Sequence, residues 1–285
     1  MPLLTMGVTL AAYIAAIGLT LKYAHRLCLR ANGGVSSRAY SPGVRSLIAA
    51  LAAVIPLVLT SAVTFLFAWL VDGNPLPVLG LTYDSRSIPF VGYGAGLGFA
   101  CVMLMFMCGL LGGFIKVKPA AEPHELDEHL PMFWGGLSDY FNGAILEEIV
   151  TRGYVYYLLC SVFGGVAAII GSALIFSLVH LIRPNRIPLI FTLNAFIFGL
   201  LTGACRYCTG QLWLPIGLHF GWNVTAGPFL GLPYSGMSYD RGFVKSDVSG
   251  PEWFTGGFYS PDAGVLGTFA LLVAAVGLRL IAPVI

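Results

Sequence analysis

Eight apolar stretches, each near the length of a bilayer crossing, limit what this chain can fold into: about 3–23, 46–71, 89–115, 141–163, 165–182, 187–204, 210–231 and 262–284. A helix of about 20 apolar residues spans the hydrocarbon core of a membrane. Backbone in lipid must satisfy its own hydrogen bonds, so such stretches are expected to be helical. Only 10% of the 285 residues are charged, and 57% are hydrophobic. Soluble domains carry roughly a quarter charged residues, so this chain lacks the polar surface that water on all sides would demand. The expected fold class is an all-α integral membrane protein, a bundle of about eight transmembrane helices, with residues 1–285 as one membrane domain.

The remaining composition excludes other classes. A net charge of +2 with no basic stripe gives nucleic acid nothing to hold. The six cysteines are Cys28, Cys101, Cys108, Cys160, Cys205 and Cys208, and most sit in apolar runs, where cysteine acts as a small hydrophobe. Cys205 and Cys208 form a lone CxxC with no second ligand pair, which argues against zinc. At the N-terminus the charges Lys22, Arg26 and Arg30 follow the apolar run, the reverse of a secretory signal, so residues 3–23 are expected to stay as a first membrane helix.

The connections fix an expected orientation. With the N-terminus outside, loops 24–45, 116–131, 183–186 and 232–261 face the cytoplasm and carry Arg26, Arg30, Arg38, Lys116, Lys118, Arg183, Arg186, Arg241 and Lys245. The opposite loops offer only Arg86 and Arg206. Positive residues favour the cytoplasmic side, which places both termini outside.

Polar residues inside the apolar stretches are the functional signal, because a charge at mid-membrane costs about 2.5–3.5 kcal/mol on insertion scales. The fourth stretch holds Glu147, Glu148 and Arg152. Glu148 and Arg152 are spaced i, i+4 with the glutamate first, the favoured order for an ion pair on one helix. Glu147 points about 100° away and has no such partner. The fifth stretch ends on His180, and the seventh carries His219 and Asn223 on one face. A histidine near a helix end is more often an interfacial side chain than a catalyst, but a His/Asn pair amid Leu, Ile, Phe and Trp asks for a purpose. Counting inward at 1.5 Å per residue puts Glu147 roughly 9 Å deep. In the expected topology all four converge in the cytoplasmic half. A carboxylate in a dry pocket suits base work on water, and histidine and asparagine supply hydrogen bonds for an oxyanion. Neither GxSxG nor HExxH occurs.

These residues resemble the CPBP family, the glutamate-type intramembrane proteases that include the type II CAAX prenyl endopeptidases and bacterial Abi proteins. EExxxR stands as Glu147-Glu148-Ile149-Val150-Thr151-Arg152, FxxxH as Phe176 to His180, and HxxxN as His219 to Asn223. The family's TGSLWxPIxxH stretch stands as Thr209 to His219, with Gln211 in the serine's place. The resemblance covers about residues 140–224, the expected catalytic core. It implies that Glu147 and His180 activate the attacking water, that His219 and Asn223 form the oxyanion site, and that Glu148 and Arg152 hold the pocket. It implies no metal and no cofactor, although Glu and His are also residue types that metals use. Expected partners are membrane lipid and a membrane-associated protein or peptide substrate. The competing readings are a non-proteolytic scaffold or bacteriocin-immunity protein of the same fold, and a proton-coupled transporter. The last is disfavoured because no inverted repeat is visible.

Overall fold

The computed structural model describes residues 1–35, 42–119, 126–181, 187–233 and 242–281. Arg38, Arg241 and the basic turn Arg183 to Arg186, all used above to set orientation, lie outside these residues. The elements are α1 (Leu3–Val35), α2 (Pro42–Asp72), α3 (Pro75–Leu79), α4 (Ser87–Leu111), β1 (Ile115–Pro119), α5 (Leu126–Glu148), α6 (Tyr156–Phe163), α7 (Gly165–His180), α8 (Leu189–Thr209), α9 (Trp213–Val224), β2 (Val244–Val248), α10 (Glu252–Thr255) and α11 (Val265–Ile281). Two π-helical segments, Ile149–Val155 and Thr225–Phe229, continue α5 and α9.

The chain is almost entirely helical, and each apolar stretch lies on a helix, but the expected eight spans are met only in part. Four described helical runs are long and apolar enough to cross a membrane: Leu3–Cys28, Val54–Asp72, Ser87–Leu111 and Leu189–Thr209. Gly165–His180 and Val265–Leu280 are apolar but shorter. The stretches at 141–163 and 210–231 are each broken by a π segment, and the first carries the two glutamates, so neither forms one long uniform apolar α-helix.

The connecting segments hold more structure than hydropathy shows. Most of 24–45 is helix, because α1 runs on to Val35 and α2 starts at Pro42. Long basic side chains keep such a helix compatible with a membrane edge by reaching toward water. Helix α5 starts at Leu126, well before 141, since its first turns mix apolar with acidic residues and give no apolar run. Loops 116–131 and 232–261 contribute the strands of an antiparallel ribbon that pairs Ile115 with Val248, Lys116 with Asp247 and Val117 with Ser246. Apolar and basic residues alternate along Ile115 to Lys118, although only Ile115 is buried and its successors are exposed. Lys118 makes an ion pair with Asp247 and holds that carboxyl below the usual carboxylate range.

Packing divides into two groups that flank the first π segment. On one side Tyr13 of α1 donates to or accepts from Thr64 of α2 at 2.9 Å and meets the Phe67 and Tyr154 rings edge-on. On the other side α4, α7, α8, α9 and α11 share a core that includes Phe106, Phe198, Leu218 and Trp222. The closest contact there is α4 against α9, backbone on backbone. A Cβ on Gly94 would stand 2.4 Å from the Leu214 carbonyl oxygen, and one on Gly98 2.5 Å from that of Leu218. In return, a Cβ on Gly217 or Gly221 would stand 2.3 Å from the carbonyl oxygen of Val91 or Ala95. Two GxxxG pairs therefore interlock with no side chain between them, the close approach that small residues permit in membranes.

The turn before α9 is fastened to the segment before α4. Leu212 N–H donates to Gly80 O at 2.8 Å, Trp213 Nε1 to Thr82 O at 2.9 Å, and Gln211 Nε2 to Asp84 Oδ2 at 2.9 Å. Gly80 has φ +71° and faces the Arg206 guanidinium, so neither its backbone nor its surroundings leave room for a side chain. The Asp84 carboxyl is held below its ordinary range, first by the Arg86 backbone N–H and then by the Arg86 side chain.

Candidate active site

Glu147 and Glu148 are the last α-helical residues before the first π segment, and Arg152 lies within it. A local side-chain bond accompanies the break. Thr151 donates its hydroxyl to Glu147 O, occupying the carbonyl that an α-helical amide would use. The second π segment repeats the device: Thr225 donates to Gly221 O at 2.6 Å, and Pro228 lacks an N–H altogether. Such segments recur at functional sites because they re-aim side chains without ending the helix.

The two neighbouring glutamates have opposite surroundings. The Glu148 side chain is 0% exposed, and that of Glu147 is 33% exposed. Glu148 Oε1 accepts from Arg152 Nη1 at 3.4 Å and from His219 Nδ1 at 2.9 Å. Arg152 is wholly buried, lies over the Phe176 ring at 4.2 Å and donates to Thr151 Oγ1 at 2.7 Å. Room for its guanidinium comes from Gly199, where a Cβ would stand 2.9 Å from Nη2. His219 Nε2 lies 3.8 Å from Glu147 Oε2.

Glu147, His180, His219 and Asn223 line one cleft, which encloses about 500 Å³ with its open mouth included. Phe176, Phe198 and Trp222 wall it. His219 sits against the Phe198 ring at 5.0 Å, and His180 against the Phe176 ring at 4.8 Å. His180 Nδ1 is 2.7 Å from the Phe176 carbonyl oxygen. A carbonyl oxygen only accepts, and so does an ionised carboxylate. Both histidines are therefore Nδ1–H donors at these contacts, and each ring, when neutral, has an acceptor at Nε2. The Glu147 carboxylate and the His180 acceptor together suit a bound water, which has two protons to donate. Among the described residues, no three His, Cys, Asp or Glu side chains group as a metal site.

The cleft also contains two polar residues that the sequence reading passed over, Asn194 and Asp262. Asn194 donates to the carbonyl oxygens of Asp262 at 2.7 Å and Gly264 at 3.1 Å, and accepts from Thr268 Oγ1 at 2.8 Å. It pins the turn before α11 to α8. Its position inside the apolar run 187–204 was a usable signal, since a buried amide needs partners. Asp262 follows a proline at the edge of the last stretch and gave no signal of its own.

A mostly helical membrane protein, with a half-buried glutamate and two histidines around an apolar cleft, is the class that fold and site define. Residues 129–225 match the family model described as Type II CAAX prenyl endopeptidase Rce1-like, a protease family and the relationship to which the three motifs pointed. The matched segment runs from α5 to the start of the second π segment and contains all six residues singled out above. No curated protein and no solved structure matches the chain.

Proposed function

We propose that the protein is an intramembrane endopeptidase that hydrolyses a peptide bond of a membrane-associated protein or peptide, with residues 140–224 as its catalytic core. The observation that carries this reading is the shared cleft of Glu147, His180, His219 and Asn223. Glu147, the more exposed glutamate, takes a proton from water that His180 helps to hold. The resulting hydroxide attacks the carbonyl carbon, and the carbonyl electron pair moves to oxygen. His219 and Asn223 stabilise that oxyanion. The C–N bond then breaks, its electron pair stays on nitrogen, and the proton follows it. Phe176, Phe198 and Trp222 keep the space dry, which strengthens each of these interactions.

The cleft opens toward the cytoplasmic half, an orientation supported by the distribution of Lys and Arg. A scaffold of the same fold would have no use for Glu147 at the cleft. The test is Glu147→Gln, which keeps shape and removes the base. Mass spectrometry of membrane peptides from cells with either protein should show products only with the wild type, and purified enzyme should lose about 10²–10⁴-fold in rate. Full cleavage by the variant would show that Glu147 is not the base and make Glu148 the first candidate, whereas a variant that complements every phenotype of a deletion strain would end the proteolytic reading in favour of a scaffold. Strong chelators should leave cleavage intact, and complete loss restored by zinc would make the site metal-dependent.

A further inference from the structure

The two functions assigned to His219, facing Glu147 and holding an oxyanion, need opposite protonation states at Nε2. Neutral and bonded through Nδ1–H to Glu148, the ring has only a lone pair at Nε2. It becomes a donor there after gaining a proton. Glu147 Oε2, on the group that takes the proton of water in the proposed reaction, lies 3.8 Å from Nε2.

We infer that Glu148 is the positioning residue of His219: it fixes the Nδ1–H tautomer, turns Nε2 toward Glu147 and stabilises the imidazolium when Nε2 is protonated. This rests on the proteolytic reading. The proton leaves water for the Glu147 carboxylate and passes to Nε2. The imidazolium then donates to the oxyanion, and the proton returns through Glu147 to the leaving nitrogen as the C–N bond breaks. No proton is gained or lost overall. His219 is thus a donor made by the reaction, ready when negative charge has formed on the substrate.

The geometry supports a specific task for Glu148. It is the carboxylate within hydrogen-bond reach of Nδ1, and the same oxygen accepts from Arg152 Nη1. As a carboxylate, with Arg152 Nη1 on the same oxygen, Glu148 can only accept, so Nδ1 is the ring nitrogen that carries the proton at this contact. The ring is held from its other sides by Phe198 at 5.0 Å and Phe176 at 6.1 Å, neither of which competes for Nδ1. Glu148 Oε2 and Arg152 Nε and Nη2 have no hydrogen-bond partner among the described residues. The buried pair is thus poorly satisfied as a stability device, which fits a carboxylate kept for what it does to His219.

The test has two independent readouts. In protein carrying His25→Gln, His124→Gln and His129→Gln, with ¹⁵N-histidine, the signal lost on His180→Gln identifies His180 and leaves that of His219. At neutral pH, His219 should show a protonated Nδ1 and an unprotonated Nε2; a protonated Nε2 alone would overturn the inference. Kinetically, Glu148→Gln should lower kcat by about 10²–10⁴-fold with KM little changed, the pattern of a lost tautomer and ion partner rather than a lost binding site. Where that variant fails to accumulate, Glu148→Gln with Arg152→Gln removes both buried charges together and should show the same kcat loss. Wild-type kcat in either variant overturns the inference. Wild-type protein that yields no peptide product absent from a deletion strain would instead strike the proteolytic reading itself, whatever the tautomer, so the two failures are distinct.

Discussion

Arg152 has one acceptor carboxylate, one hydroxyl and an aromatic face for its wholly buried guanidinium. Arg152→Ala leaves Glu148 charged and without its cation, at a cost of about 3–5 kcal/mol for breaking a buried pair. Thermal unfolding in detergent should show a large drop, and an unchanged melting temperature would mean that the pair contributes nothing. Gly199→Ala should act on the same contact from the other side, since its Cβ would stand 2.8 Å from Ala173 Cα and 2.9 Å from Nη2. This pair was legible in the sequence because i, i+4 spacing makes neighbours on one helix. The bond from Glu148 to His219 was not, as it joins residues 71 apart whose helices meet only in the folded bundle. The two glutamates differ in direction as their spacing predicts: Glu148 faces Arg152 and Glu147 lines the cleft.

Helices α4 and α9 meet through Gly94, Gly98, Gly217 and Gly221, and α9 carries His219 and Asn223 between and beyond its two glycines. Gly221→Leu or Gly98→Leu drives a side chain into a backbone carbonyl, so accumulation of monodisperse protein should fall sharply and cleavage at least tenfold (roughly 1.4 kcal/mol at the transition state). Gly96→Leu is the control, because a Cβ there meets nothing within 4 Å. Equal behaviour of the three variants by size-exclusion profile would show that the glycine interlock is not what docks α9. Both GxxxG pairs were visible in the sequence, but hydropathy treats glycine as neutral and does not report which face a partner needs. The π segments were hidden for a different reason. They coincide with Thr151 and Thr225 bonding back to main-chain carbonyls, and threonine does so elsewhere in this chain, at Thr64 and Thr202, without breaking the helix.

The ribbon joins residues that are more than a hundred positions apart, and only a shared side of the membrane lets loops 116–131 and 232–261 pair. In a cysteine-free background, Val117→Cys with Ser246→Cys should cross-link under mild oxidation, since paired residues in an antiparallel ribbon stand about 4.5–5.5 Å apart at Cα and fit a disulfide. Failure to cross-link would place the loops elsewhere. Accessibility labelling should find residues 24–45 and 183–186 inside intact cells, and labelling from outside would reverse the topology. The ribbon was not legible because its strands are short and lie in segments that an apolar-run search treats as linkers. The interlocked glycines also carry a meaning for biosynthesis. Helix α4 emerges about a hundred residues before α9, and membrane chains are made in that order. Until α9 arrives, the glycine face of α4 is filled by lipid or by nothing. His219, Asn223 and the turn pinned by Asn194 come later still than Glu147. A chain part-way through synthesis therefore has no cleft, and whatever the cleft acts on is safe from it until the last helices are in place.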